Sequence, residues 1–365
     1  MHLESLRAEL PVLERVAYLN AGTNGPIPRG AVAAALMELR AQEERGRGDA
    51  AFFFERALPL VEGLRERVAA VMGCEADELA LTSSTTGGVN TVISALELGP
   101  GDEVLTSDEE HPGVLAPLAA GRARRGFEVR VAPFDRLARE VGPRTRLVAC
   151  SQVSWITGRV LDARALADAG PPLLLDGAQA LGAVPVDVRA LGCDFYAASG
   201  QKWLCGPNGI GYLYVRSELV RELIPPSPSF TSLSAPDRPL DLELQESARR
   251  LDHDLPAPHQ CAFALAALDT LESAGIEALL ARAARLAARL AQALEDRGLR
   301  VAPRGDSTLV SWAAADPLSA VERLAAERLV VRGLPNSPWV RASVGGWTSE
   351  DELERLVEEA ATSAS

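Results

Sequence analysis

Between residues 100 and 180 short apolar runs alternate with helix-like stretches, and that alternation admits few folds besides a mostly parallel sheet whose crossovers are helices. Glu103-Val104-Leu105-Thr106, Glu128-Val129-Arg130-Val131-Ala132, Arg146-Leu147-Val148-Ala149-Cys150 and Leu173-Leu174-Leu175-Asp176 read as successive strands. In open sheets of this kind ligands bind in the crevice beyond the carboxyl ends of the strands. Asp176 closes its strand with an acid at such an end, where solvent exposure alone would not require one.

The texture changes after residue 250. Leu279, Ala283, Leu286, Leu290 and Leu294 follow an amphipathic helical spacing, with Gly298 as the stop. Strand candidates at Thr308 to Trp312 and Val340 to Ser343, then a helix from Glu350, suggest a smaller α+β unit. The proline-rich stretch from Pro225 to Pro239 suits a connecting or lid-like loop. The expected division is a large domain over residues 15–245 and a small one built from 1–14 and 246–365.

With 37 basic and 50 acidic side chains the formal net charge is -13, which repels nucleic acid and anionic lipid on average. No apolar run reaches membrane-spanning length, and Met1-His2-Leu3-Glu4-Ser5 lacks the pattern of a secretion signal, so the expected location is the cytoplasm. Cys74, Cys150, Cys193, Cys205 and Cys261 are widely spaced and odd in number, reading as reduced, mostly buried thiols. Asp252-His253-Asp254 with His259 lacks a recognised ligand spacing, so no metal is expected.

Among the 37 basic residues only Lys202 is a lysine, within Ser199-Gly200-Gln201-Lys202-Trp203. Arginine binds oxyanions better, but only a primary amine can lose its proton and attack a carbonyl. Upstream, Thr82-Ser83-Ser84-Thr85-Thr86-Gly87-Gly88-Val89-Asn90 precedes an apolar helix expected over Thr91 to Leu98. Hydroxyls and amides at a helix start make an anion site, although the same run would serve as an ordinary cap. The P-loop, dinucleotide, serine-hydrolase and zinc-peptidase signatures are all absent.

Read in order, Asp108-Glu109-Glu110-His111-Pro112-Gly113, Asp176-Gly177-Ala178-Gln179-Ala180, Ser199-Gly200-Gln201-Lys202-Trp203 and Gly206-Pro207-Asn208-Gly209-Ile210-Gly211 supply an acid, an amide, a hydroxyl, an amine and a flexible turn. The chain resembles the fold-type I, pyridoxal-phosphate-dependent enzymes of the class V aminotransferase and cysteine desulfurase family. The matching signals run from about residue 18 to 350 and are most specific from Leu173 to Tyr214. The resemblance implies a mostly parallel sheet with helices on both faces plus a smaller α+β C-terminal domain, and pyridoxal 5'-phosphate as cofactor. It implies that Lys202 forms the Schiff base, Asp176 pairs with the pyridine nitrogen, Gln179 reaches the ring hydroxyl and His111 stacks on the ring. Thr85, Thr86, the amide of Gly87 and Ser199 would hold the phosphate, with Gln201 beside them. Arg341 would grip the substrate carboxylate, with Asn20 and Trp155 in the substrate pocket. A homodimer is expected, acting on a small amino acid and on neither nucleic acid nor membrane.

Departures from the pattern bear on function. Desulfurases of similar layout carry a persulfide-forming cysteine shortly before the carboxylate arginine, whereas Arg332-Gly333-Leu334-Pro335-Asn336-Ser337-Pro338-Trp339 holds none here. Where they usually show His-Val-Ser-Asn, this chain has Gln152-Val153-Ser154-Trp155. Asp254 to His259 also replaces the glycine-threonine pair that commonly reaches a neighbouring subunit's phosphate. The leading expectation is an aminotransferase working through an external aldimine and α-proton abstraction by Lys202. The alternatives are a cysteine desulfurase-like carbon–sulfur or other β-eliminating lyase, an amino-acid epimerase, and a cofactor-binding regulator without turnover.

Overall fold

The structure, a computed structural model, describes residues 3–362. Among the described residues twelve strands run in chain order: β1 (Ala17–Tyr18), β2 (Leu79–Thr82), β3 (Glu103–Ser107), β4 (Glu128–Ala132), β5 (Thr145–Ser151), β6 (Leu173–Asp176), β7 (Phe195–Ser199), β8 (Gly211–Val215), β9 (Leu309–Ala313), β10 (Leu329–Val330), β11 (Arg332–Gly333) and β12 (Trp339–Ser343). Seven of them form one sheet in the order β2-β8-β7-β6-β5-β3-β4. The pairs β4–β3–β5–β6–β7 are parallel, and β8 is antiparallel to both of its neighbours. This is the fold-type I architecture.

The four strands expected from apolar runs are present as β3 to β6. Strands β6 and β7 are buried at every position, as parallel strands covered on both faces must be. Strands β2, β7 and β8 add three that the apolar runs did not single out. The helix expected from Thr91 begins earlier, spanning Thr85–Ala95, because the Ser84 hydroxyl caps it by accepting from the Gly87 amide. Thr85, Thr86 and Gly87 therefore form its first turn rather than a loop before it.

The carboxyl ends of the parallel strands β7, β6, β5 and β3 lie in a row in that order and end in Ser199, Asp176, Ser151 and Ser107. A second sheet, β11-β12-β9, is antiparallel. Its core combines Val310, Trp312, Val340 and Ala342 with Leu286, Leu290 and Leu294 from the helix Ile276–Asp296, and Leu353 and Leu356 from the helix Glu350–Thr362. Strand β1 pairs in parallel with β10, and Asn20 bridges Ser343, so the chain just after β1 runs along the edge of β12. The helix Pro258–Ala274 contributes Cys261, Ala264, Ala267 and Leu268 to the same core as Val61, Leu64 and Val68 of the helix Leu58–Met72. From Pro225 to Pro239 the chain is irregular apart from a 3-10 turn at Phe230–Ser232.

Four cysteines are buried, Cys74 is half-buried, and all five are free thiols. Among the described residues no helix is long and apolar enough to cross a membrane. No group of three or more His, Cys, Asp or Glu side chains among them could hold a metal ion.

Candidate active site

Asp176 ends β6 as a carboxylate only 6% exposed, its Oδ1 accepting from the Ala178 amide at 2.8 Å. Burial pushes its pKa up, while the Lys202 ammonium and that amide pull it back. Lys202 sits in the turn after β7, and burial brings its ammonium down to about 8 against the pull of Asp176, with Arg341 and Arg332 pressing the same way as burial. A short approach fixes this turn: a Cβ on Gly25 would stand 2.1 Å from the Lys202 carbonyl oxygen, so no larger residue fits there. Gly25 also donates its amide to the Gln201 carbonyl at 2.8 Å, holding the residue 20–25 segment against the lysine turn.

The start of the helix Thr85–Ala95 meets the end of β7, where the Thr85 hydroxyl donates to Ser199 Oγ at 3.0 Å. An anion placed there would meet two hydroxyls and the helix amides. His253 stands beside Gly87, with Nε2 at 2.8 Å from Thr91 Oγ1 and Nδ1 at 3.4 Å from Ser83 Oγ. Its place is set by its neighbour Asp252, which makes a buried bidentate pair with Arg65 at 2.8 and 3.1 Å and accepts from the Leu81 amide. Sequence reading left His253 unassigned, since Gly87 lies far away in the chain.

His111 caps the helix Pro112–Arg125, its Nδ1 accepting from the Gly113 amide at 3.0 Å, which puts the ring proton on Nε2. Burial and the charges of Lys202, Arg332 and Arg341 hold its pKa down at about 4, so the ring is neutral at physiological pH. The Trp155 ring meets it edge-on, 4.9 Å between centroids and 85° between planes. Next to His111, the Glu110 carboxylate is buried and accepts from Ser107 Oγ at 2.5 Å, Ser151 N at 2.9 Å and Ser151 Oγ at 2.6 Å. Burial nonetheless pushes it up to about 7, with Asp176 adding to the rise.

Gln179 has both ends of its amide committed. Its Nε2 donates to the Gly22 carbonyl at 2.8 Å, and its Oε1 accepts from Trp203 Nε1 at 3.2 Å. Gly22 leaves room that any side chain would fill: a Cβ there would lie 2.8 Å from Gln179 Oε1 and Ser343 Oγ and 2.9 Å from Arg341 Nη2. Arg341, on β12, is fully buried with Nη1 donating to the Trp155 carbonyl at 2.7 Å, while Nε and Nη2 have no partner. Trp155 Nε1 and Ser343 Oγ are likewise buried and unpartnered. Asn20 lies at the same edge, bridged to Ser343 and accepting from Thr23 Oγ1 at 2.8 Å.

The sequence-selected residues thus converge from both sheets, with Gln201 contributing a main-chain oxygen and a half-buried side chain. Sequence reading missed Arg332, Gly22 and Glu110. A depressed amine beside a buried acid, a hydroxyl-lined helix start and unpaired donors on a buried guanidinium together fit an aldehyde cofactor bearing a phosphate and a carboxylate-bearing substrate.

A family described as Aminotransferase class-V matches residues 18–311. The chain belongs to the class-V aminotransferase family. An isopenicillin N epimerase from Amycolatopsis lactamdurans is 35% identical to this family member over an alignment of 247 residues that covers 61% of this chain and 60% of that protein. A cysteine desulfurase from Klebsiella pneumoniae (strain 342) is 34% identical over an alignment of 245 residues, with coverage again 61% of this chain and 60% of that one. The match thus spans about three fifths of the length of these curated relatives. A solved complex between the cystine C-S lyase C-DES and its reaction product, cysteine persulfide, superposes with TM-score 0.92 at 27% identity, covering 98% of this chain and 100% of that one. These relatives carry epimerase, desulfurase and lyase names, which weighs for the carbon–sulfur and epimerase alternatives over the transamination expected first.

Proposed function

We propose that this class-V family member is a pyridoxal-phosphate-dependent carbon–sulfur lyase that cleaves the β-carbon to sulfur bond of a cysteine-derived amino acid. Lys202 would carry the cofactor, Asp176 would hold its ring nitrogen, and Thr85, Thr86, the Gly87 amide and Ser199 would take its phosphate, with Gln201 beside them. His111 would lie on the ring face, and Gln179 would keep Gly22 and the lysine turn in register. Bound pyridoxal phosphate supplies the electron sink that accepts the pair left when a bond to the α-carbon breaks.

The remaining work falls to this chain's own side chains. Arg341 offers two free donors to the α-carboxylate, fixing the α-carbon relative to the ring. Lys202, with its pKa near 8, takes the α-proton. The carbon–sulfur bond then breaks with its electron pair leaving on sulfur, and hydrolysis of the three-carbon remainder yields pyruvate and ammonia. The observation that carries lysis over desulfuration is the segment Arg332 to Trp339, which holds no thiol to accept sulfur, while Cys150, Cys193, Cys205 and Cys261 are all buried. Elimination needs no such thiol.

Ile27, Val32, Leu36, Met37 and Phe54 are more than two fifths exposed, and this apolar surface supports the homodimer that the family resemblance implies. The decisive assay incubates holoenzyme with L-cystine and S-alkyl cysteines, without a keto acid. Pyruvate and ammonia should appear in equal amounts with one sulfur product. Alanine in place of pyruvate, amino transfer only when a keto acid is added, or recovery of the D-isomer would each overturn the lyase reading.

A further inference from the structure

His253 comes from the loop before the helix Pro258–Ala274, yet its place is set by β2. Asp252 accepts from the Leu81 amide at 2.7 Å, and His253 donates its own amide to the Leu81 carbonyl at 3.1 Å, so two successive residues grip both polar groups of one strand residue. The buried pair of Asp252 with Arg65 locks that grip. The imidazole is thereby carried to the first turns of the helix Thr85–Ala95, with Nε2 at 2.8 Å from Thr91 Oγ1.

Proton counting gives the direction of this bond. A threonine hydroxyl has one proton, and that of Thr91 goes to the Gly87 carbonyl at 3.0 Å, so Thr91 Oγ1 accepts from His253. Burial lowers the pKa of the ring against the pull of Asp252, so near neutral pH it keeps a single proton, on Nε2, and Nδ1 is bare toward Ser83 Oγ at 3.4 Å. A relay of two hydrogen bonds therefore runs from His253 through Thr91 to the main chain of Gly87. Contact reinforces it, because a Cβ on Gly87 would lie 2.9 Å from His253 Cε1.

Residues 85 and 86 are anchored by their own side chains or main chain within the site. Thr85 donates to Ser199, and the Thr86 carbonyl accepts from Asn90 Nδ2 at 3.0 Å while its hydroxyl packs against Gly113, where a Cβ would lie only 2.5 Å away. Gly87 has no side chain to anchor, and glycine loses more freedom on ordering than any other residue. His253 supplies the missing support from outside the helix.

We propose that His253 is a positioning residue for the cofactor's phosphate, holding Gly87 in the phosphate-binding turn through Thr91 and by direct packing. The proposal rests on reading residues 85–87 and Ser199 as the phosphate seat, and it holds whichever bond of the amino acid is cleaved.

The test compares pyridoxal 5'-phosphate with pyridoxal, each titrated into cofactor-free protein at pH 7.5, so that the ratio of the two affinities isolates the phosphate. His253→Leu keeps the bulk and removes the donor; it should weaken pyridoxal 5'-phosphate roughly 3- to 10-fold and leave pyridoxal within about twofold. The phosphorus NMR signal of the bound cofactor should move in the same variant. His253→Gln, whose side-chain amide can still donate to Thr91, should recover most of the ratio. Thr91→Val breaks the relay without touching the loop, should lower the ratio to the same extent, and carries the decision if His253→Leu does not fold. Combining Thr91→Val with His253→Leu should cost little more than either alone, since both cut one relay.

A folded His253→Leu that keeps the wild-type ratio, an equal loss for pyridoxal and its phosphate, or a His253→Gln as weak as His253→Leu overturns the proposal. Thr85→Val separates this from a failure of the seat itself. A ratio that falls in Thr85→Val but in neither His253→Leu nor Thr91→Val overturns the role of His253 and leaves the seat standing. A wild-type protein that binds the two compounds alike overturns both.

Discussion

Replacing Arg341 by methionine should make the cofactor-free protein more stable while disabling it for carboxylate ligands. Arg341 is fully buried and leaves Nε and Nη2 without partners. Each unsatisfied buried polar group costs about 1–3 kcal/mol, so the pair costs about 2–6 kcal/mol. Arg341→Met gives up one charge-assisted bond, from Nη1 to the Trp155 carbonyl, worth about 1.5–3 kcal/mol. The net is a gain of about 2 kcal/mol. Proton linkage has the same sign: burial and Arg332 hold the guanidinium down at about 9, and a base depressed on folding costs stability in full at every pH below that value. The penalty is relieved only as pH rises from about 9 toward the ordinary arginine range, so pH 7.5 shows all of it. At about 2.1 cal/mol/K of unfolding entropy per residue, 2 kcal/mol over a chain of this length is a Tm rise of about 2–3 °C. Urea and thermal melts of the cofactor-free protein measure it, and titration of the holoenzyme with a carboxylate ligand should show an affinity loss of roughly 100-fold. A variant less stable than wild type by more than about 1 kcal/mol would mean that the two donors are satisfied in the resting protein, and the idea of a clamp held open for a ligand would be wrong.

Three further outcomes are expected. Because Lys202 is the sole lysine, borohydride treatment of holoenzyme should label only the peptide that contains it, and Lys202→Ala should lose the label together with roughly 1,000-fold in turnover; label elsewhere, or activity retained, contradicts the assignment. Glu110 is raised to about 7 by burial, so the unfolded chain gives up this proton first and stability falls by up to about 3 kcal/mol as pH climbs from about 4.5 to 7. In Glu110→Gln, urea melts at pH 5 and pH 7.5 should differ less than in wild type, and equal differences would rule the group out. Gly22→Ala forces a Cβ against Gln179, Ser343 and Arg341, which should raise KM for the amino acid about tenfold and cost about 1–3 kcal/mol of stability. An unchanged KM would show that the space beside Gly22 is not used by the ligand.

The sequence was most legible where residue type alone carries the chemistry. Lys202 among 36 arginines and Asp176 at the end of an apolar run point to an amine and an acid without any geometry. Strands β3, β5 and β6 were legible because a parallel sheet covered on both faces demands largely apolar runs, and the edge strand β4 because its Val129 and Val131 alternate with polar residues. Strand β8 was hidden because its Gly211-Tyr212-Leu213-Tyr214-Val215 follows a glycine-rich turn and reads as that turn's continuation. The first turn of the helix Thr85–Ala95 was hidden by Thr-Thr-Gly-Gly, whose low helical propensity is outweighed by the Ser84 cap and by packing on the sheet. Arg332, His253 and Glu110 depend on tertiary register: one faces Arg341 across a strand pair, one reaches Gly87 from a distant loop, and one sits among serines from two strands. No local pattern announces such placements.

Electrostatically the site inverts the chain that contains it. Overall the protein carries -13, yet Lys202, Arg332 and Arg341 act on one another and on His111 with Asp176 as the main opposing charge. Arginines left without protein acids in a low-dielectric cleft reserve their attraction for incoming anions such as a carboxylate. Burial, reinforced by the same crowding, sets the protonation states that the chemistry needs. Burial together with the neighbouring cations keeps His111 neutral, so the ring can lie on a flat ligand without competing for its phosphate. Burial, with Arg341 and Arg332 adding to it, also lowers Lys202 to about 8, where roughly a quarter of the amine is free at pH 7.5 instead of about one part in a thousand for an unperturbed lysine. Binding and reactivity are therefore coupled through one set of charges. Each anion that arrives relieves repulsion on Lys202 and raises its proton affinity, so a docked carboxylate leaves the amine the stronger base for the α-proton.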